Sequence, residues 1–418
     1  MGLLKTINYF FKRSFLLNLS SAVQMLVYFV FNLYLLNKLN MEDFGVYKYF
    51  MTFIPFLNIF SFPSYNVAIK RDISKGKYGL FWKSFRLRIY FSFISIIGLF
   101  FLGLYFWYSG KILITYLSII SIIFFIPWYS FTFFRSFFLG RQEFKKVSII
   151  QMISDLTFLL LLFLFSVFFK ELDLIKIFLI QSISYSFFNL IFLYKAVKSF
   201  PSGKLENGDS IKVGKKLGIS NLILMGASNI DNIILKFFVS FTDVAIYSGV
   251  TVIISIFKAM NKNFNTVFFP IFAKKNSVSD SFDLIKKRLF LSHIITLFLG
   301  IFLYYLIPVI GKMILPEDYY ISLDYAAILV FFVVNFEFQS TTLKNILESQ
   351  AKIESRFVSL LFLSIVRIIT MVICSYIGGV RLLVLGKGLL YILSLIVWYF
   401  SVFIEMRRER SCLVSDSG

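Results

Sequence analysis

Long apolar runs alternate with short polar loops along the whole chain. Each run is about 20–25 residues, enough for a helix to cross a hydrocarbon core of roughly 30 Å. The pattern predicts spans at 14–37, 44–67, 87–108, 112–136, 146–169 and 174–196. A second set follows at 217–240, 244–270, 289–311, 322–347, 355–377 and 381–405. A backbone in lipid must pair its polar groups within each segment, so these spans are helices. A membrane barrel would instead show alternating segments of about ten residues. The expected fold class is an all-α integral membrane protein of about twelve transmembrane helices.

The polar loops fall into two classes. One set is rich in cations: Lys12 and Arg13, Lys70 to Arg88, Arg135 to Lys146, Lys195 to Lys216, Lys274 to Arg288, Lys344 to Arg356, and Arg407 to Arg410. The alternate loops hold Lys38, Lys111, Lys170, Lys176, Lys236, Lys312 and Arg381. The positive-inside rule then places both termini in the cytoplasm and favours an even number of spans. The longest polar stretch, KSFPSGKLENGDSIKVGKK at 198–216, reads as a flexible cytoplasmic linker. It separates an N-terminal six-helix lobe, 1–197, from a C-terminal one, 217–418.

A small echo joins the two lobes. MEDFGVYKYF at 41–50 and FTDVAIYSGV at 241–250 both place Asp, three residues, then Tyr. Asp43/Tyr47 and Asp243/Tyr247 sit in the same topological slot of each half. A weaker echo pairs LGRQ at 139–142 with LESQ at 347–350. Six spans per half give both halves the same orientation, with a pseudo-twofold axis along the membrane normal, as in parallel-repeat transporters. Asp43 and Asp243 read as helix N-caps, and the tyrosines as anchors at the membrane interface.

Composition agrees with lipid as solvent. The chain is 58% hydrophobic and 16% charged, against about 25% charged in soluble domains. The formal charge of +21 belongs to the inner loops rather than to nucleic-acid binding. Cys374 and Cys412 offer no disulfide framework or metal spacing. His293 is the single histidine, which leaves no His-based catalytic or metal cluster. The N-terminus lacks a cleavable signal; Gly2 and Thr6 fit a myristoylation pattern, but an amphipathic stub on the inner leaflet is the expectation.

At this point the chain resembles the Wzx-type polysaccharide flippases. Their superfamily also holds multidrug and toxin extrusion transporters and lipid II flippases. The likeness lies in MEDFGVYKYFMTFIPFLNIFSFPSYNVAIKRD (41–72), DVAIYSGVTVIISIFKAMNKNFNTVFFPIFAKK (243–275), with Pro270 ending the eighth span, and ILPEDYYISLDYAAILV (314–330). Twelve spans favour the polysaccharide branch over the fourteen-helix lipid II branch. The resemblance implies movement of undecaprenyl-pyrophosphate-linked oligosaccharide units across the bacterial inner membrane for O-antigen, capsule or a related glycan. It also implies membrane lipids, a glycan polymerase and a chain-length protein as partners. No cofactor is expected, and a proton or sodium gradient is the default energy source.

That task needs cations in a wet cavity. An ionisable group at the bilayer centre costs about 2.5–3.5 kcal/mol on insertion scales and is a functional candidate by default. Lys48, Lys258, Lys262, Arg367 and Lys387 are the candidate substrate-binding cations. Lys258 and Lys262 lie four apart on one helical face, followed by Asn261, Asn263 and Asn265. Alternatives stay open: Lys262 and Lys48 can snorkel, and Arg367 can pair with a carboxylate of its own lobe. Asp231 and Glu337 are candidates for ion coupling or counter-charge, and Asp231 can also bridge to Lys258. Asp155 is expected to pack with Ser154 and Thr157. A multidrug exporter of this fold would want buried carboxylates for organic cations. A glycan polymerase or ligase would carry a large outer loop, and this chain has short ones.

Overall fold

The computed structural model describes residues 2–169, 172–202, 206–212, 214–215, 230–273, 275, 277–350 and 352–415. Helices fill it, and no strand occurs among the described residues. The chain divides into two compact units, Met1–Phe31 with Phe50–Asn229, and Asn32–Tyr49 with Ile230–Gly418.

The helices are α1 Gly2–Lys38, α2 Met41–Asn58, α3 Ser64–Ser74, α4 Phe81–Tyr108, α5 Ile112–Phe125, α6 Thr132–Gly140, α7 Phe144–Phe168 and α8 Leu174–Lys198. Then come α9 Asp231–Phe238, α10 Phe241–Ala273, α11 Val278–Ile314, α12 Tyr320–Phe332, α13 Phe338–Ser349 and α14 Ile353–Ser415. Nine helices among the described residues are long and apolar enough to cross a membrane. The last of them, α14, contains both final expected spans, bent at Gly378 and Gly379. There φ is +54° and ψ −137° at Gly379, a region that only glycine enters cheaply. The expected span at 217–240 lies mostly outside the described residues.

Three expected spans differ from straight helices. The run 44–67 breaks after Asn58 into a 3-10 turn, Ile59–Ser61, and α3. Phe62 takes a left-handed conformation before Pro63, and a proline cannot continue the hydrogen-bond ladder of a helix interior. The runs 112–136 and 322–347 each contain a five-residue π-turn, Ile126–Ser130 and Val333–Glu337. Both interrupt the fourth expected span of their half. The expected N-terminal stub is continuous with α1.

In the first unit, α3, α6 and α8 meet over an aromatic core. Phe133, Phe134 and Phe137 are fully buried, with Tyr65, Ile69, Ile73, Phe81 and Phe192 around them. Part of the linker is pinned to this unit rather than free. Ser210 N–H donates to Asp72 Oδ2 at 2.7 Å, Gly79 N–H to Glu206 O at 2.9 Å, and Ser64 Oγ to Gly214 O at 2.8 Å. Ser210 is wholly buried.

In the second unit, the repeated Asp closes two matching capping boxes. Asn40 Oδ1 accepts from Asp43 N–H at 2.8 Å, and Asn40 Nδ2 donates to Asp43 Oδ2 at 3.0 Å. Two hundred residues on, Ser240 Oγ accepts from Asp243 N–H at 3.1 Å, and Ser240 N–H donates to Asp243 Oδ2 at 3.2 Å. The N-caps are therefore Asn40 and Ser240. Each aspartate stands at the third helical position, where a carboxylate reaches back to complete the box. Tyr47 and Tyr247 are buried, at 3% and 1% exposure, not interface anchors.

The ends of α10, α11, α13 and α14 are latched together. Gln350 Nε2 donates to Phe272 O at 2.7 Å and Lys275 O at 3.0 Å. Glu409, late in α14, accepts from Val278 N–H at 3.1 Å and Ser279 N–H at 3.3 Å. A carboxylate there meets the positive end of the helix dipole. Lys352 bridges Glu409 at 3.2 Å and Glu405 at 3.4 Å.

At Gly45 an added Cβ would stand 1.9 Å from the Phe241 carbonyl oxygen. That obstacle is backbone and cannot swing aside. Gly45→Ala is expected to cost about 1–3 kcal/mol and to lower the thermal midpoint of the detergent-solubilised protein. An unchanged midpoint would refute this close approach.

Candidate functional site

Asp231 opens α9, and its carboxylate is the centre of the second unit's charged cluster. Arg367 on the first arm of α14 places one guanidinium nitrogen 2.8 Å from each carboxylate oxygen. Lys387 on the second arm donates to Asp231 Oδ2 at 2.8 Å and to the Tyr247 hydroxyl at 2.5 Å. Tyr247, from α10, donates its own proton to Asp231 Oδ2 at 3.0 Å. The bend at Gly378–Gly379 lets both arms of one helical run reach the same carboxylate.

An opposed pair lies beside this group of four. Lys258 on α10 is 3.8 Å from Glu337, the last residue of the second π-turn. Its ammonium also stands 5.3 Å from the centre of the Tyr391 ring, a cation–π contact. Lys387 and Tyr391 are four apart on α14 and share a face. Lys258 is close enough to Lys387 and Arg367 for their charges to interact. The two groups differ in kind. Asp231 and Lys387 have side chains only 12% and 9% exposed and are closed around each other. Lys258 is 39% exposed and its ion pair is loose. Three cations face two carboxylates, so one positive charge is left over when all are ionised.

Of the seven candidate residues, the structure gathers Asp231, Arg367, Lys387, Lys258 and Glu337. Asp231 bridges to α14 and not to Lys258. Lys48 is buried and donates to Asn32, with the Phe44 ring 5.3 Å away, instead of snorkelling outward. Lys262 lies on α10, but its side chain is outside the described residues, as are those of Asn263 and Asn265. The sequence reading missed Tyr247 and Tyr391 as members of the cluster. The repeated Asp-x-x-x-Tyr carried the signal for the first, and the four-residue spacing from Lys387 carried it for the second.

The first unit holds further charges that sequence reading sent elsewhere. Arg88, sorted with the loop cations, is 1% exposed. Asp155 does not pack on Ser154 and Thr157 alone. Its oxygens accept from Gln151 Nε2 at 3.3 and 3.2 Å, and Tyr185 bonds to it as well. Among the described residues no group of His, Cys, Asp and Glu is placed to hold a metal ion.

The fold matches solved transporters over nearly its whole length. An MOP-superfamily transporter from Pyrococcus furiosus, described as having a binding pocket of reversed polarity that suggests a different function, is 13% identical. It superposes with a TM-score of 0.66 over 94% of this chain and 95% of that one. The outward-facing conformation of a multidrug resistance MATE family transporter gives 13% identity and 0.64, over 96% of each chain. A MATE in complex with MaD3S gives 12% and 0.65, over 95% of this chain and 97% of that one. These superpositions establish the fold: an all-α multi-pass membrane protein with about twelve spans. Residues 10–276, more than half of the chain, match the polysaccharide biosynthesis protein family. The chain belongs to that family. Among curated protein sequences, none matches it.

Removing one partner from a buried ionic cluster strands the others. Asp231→Asn is expected to cost about 3–5 kcal/mol, read as a loss of thermal stability in detergent. Adding Lys387→Met should recover part of that loss, because it removes one of the two stranded cations. A double variant no better than the single would refute the pairing.

Proposed function

We propose that the protein flips a lipid-linked oligosaccharide, carried on undecaprenyl pyrophosphate, from the cytoplasmic to the outer face of the bacterial inner membrane. The observation that carries this reading is the cation surplus around Asp231 and Glu337. Lys258 is 39% exposed and its contact with Glu337 is loose, so an incoming pyrophosphate can displace Glu337 from it. The tighter Asp231 cluster then holds Arg367 and Lys387 in place as a second wall. Family membership supports a glycan as cargo, and the described reversed polarity of the Pyrococcus pocket is a precedent for this fold with a different sign of charge. Glu337, once released from Lys258, is free to take up a proton or sodium ion, which would couple flipping to a gradient. The termini then lie in the cytoplasm, and a polymerase and chain-length protein on the outer side would receive the product.

A multidrug exporter is the competing reading, favoured by the solved MATE structures with the same fold. Deleting the gene separates the two. Loss of surface polymer with repeat-unit lipid trapped on the cytoplasmic face is the expected result. Lys258→Ala, at unchanged membrane level, should lower surface polymer about tenfold, the effect of losing roughly 1.4 kcal/mol of binding. Intact surface glycan together with new sensitivity to cationic drugs would overturn the reading in favour of export.

A further inference from the structure

The first π-turn is braced by side chains from two other helices. Asn189 Nδ2 donates to Pro127 O at 3.1 Å and Trp128 O at 2.7 Å. Arg88 donates to Tyr129 O at 2.7 Å, to Thr132 Oγ1 at 3.1 Å and to Asn66 Oδ1. Three consecutive carbonyls freed from the helix ladder are thus held by a buried guanidinium and an amide. π-turns of this kind occur often at functional sites.

What the bracing fixes is a run of aromatic rings. Trp128 and Tyr129 stack at 5.1 Å and 26°, and Trp128 and Tyr185 at 5.8 Å and 18°. Tyr129 continues onto Phe125 at 5.4 Å and 26°. Polar groups border the run. Tyr185 bonds to Asp155, Gln151 donates to Asp155, and Arg135 donates to Gln151 Oε1 at 2.9 Å. Trp128, Tyr129, Tyr185, Gln151, Asn189 and Arg135 are all partly exposed, while Phe133, Phe134 and Phe137 of the adjacent core are wholly buried. Lipid gains nothing from the amides and charges in such a surface. A core does not need Trp and Tyr left partly open.

The complementary ligand has an apolar face and a polar edge. Aromatic faces take the C–H face of a pyranose ring, and the amide, guanidinium and carboxylate take its hydroxyls. Arg135 and Asp155 offset each other, so the surface selects neither an anion nor a cation. We propose that this aromatic and amide surface of the first unit is a glycan subsite that binds a neutral pyranose of the cargo. The inference rests on the flippase reading and adds a named place for the sugar.

The test uses the full chain in lipid nanodiscs and the repeat-unit glycan released by mild acid from the lipid-linked pool. Saturation-transfer NMR should show transfer from the protein to the ring C–H protons of this free glycan. Trp128→Leu and Tyr185→Leu should each weaken binding about tenfold, the scale of one lost aromatic contact and its burial. Trp128→Phe should keep most of it, which separates stacking from a folding defect. Wild-type binding retained in both leucine variants would overturn the subsite, as would no transfer to the wild type. In either case trapped lipid-linked glycan in the deletion strain would leave the flippase reading standing. Displacement of the bound glycan by tetraphenylphosphonium at equal concentration would overturn the preference for neutral rings.

Discussion

The second unit depends on one carboxylate. Asp231 is buried, and a buried charge in a lipid-spanning protein must be compensated within reach of hydrogen bonds. It is met by two cations and a phenol, drawn from both arms of α14 and from α10. That requirement explains the otherwise odd bend at Gly378–Gly379. A straight α14 could not bring residues 367 and 387 to one point, because twenty residues of helix span about 30 Å. The charge constraint and the backbone bend are thus two views of the same geometry.

Much of this was legible along the chain. Apolar runs of membrane length gave the helices, and ionisable residues inside them gave five of the clustered side chains. The errors have physical sources. Hydropathy does not see backbone that stays helical while changing its ladder, so both π-turns were hidden. Nor does it mark a helix end, and α4 begins at Phe81 rather than 87. Arg88, at the very start of the expected span, thus lies two turns inside α4 and in a packed interior. Pairing across helices is also invisible in one sequence, so Asp231 could be matched with Lys258 as readily as with Arg367. Tyr247 was seen, through its repeat, but as an anchor at the membrane interface.

The duplication is better supported by local geometry than by residue identity. The boxes at Asn40/Asp43 and Ser240/Asp243 use different N-cap residues to satisfy the aspartate's own N–H, and only at Ser240 does the carboxylate also take the cap's backbone N–H. The π-turns at 126–130 and 333–337 share almost no sequence, yet each is the same length and splits the fourth span of its half. Each half has then put the break to different use. Around the first lie stacked rings and amides; the second ends on Glu337, within ion-pair distance of Lys258.

The latch at the start of α11 has a consequence for how the protein is made. The N–H groups of Val278 and Ser279 find their carboxylate partner in Glu409, 131 residues later for the first of them. At about 5–20 residues per second, translation reaches that partner roughly 7–26 seconds after α11 has begun to emerge. The first turn of α11 therefore stays incomplete until the far end of α14 has been made. A chain stopped before Glu405 would display an uncapped helix end and a Lys352 that has lost both of its carboxylates.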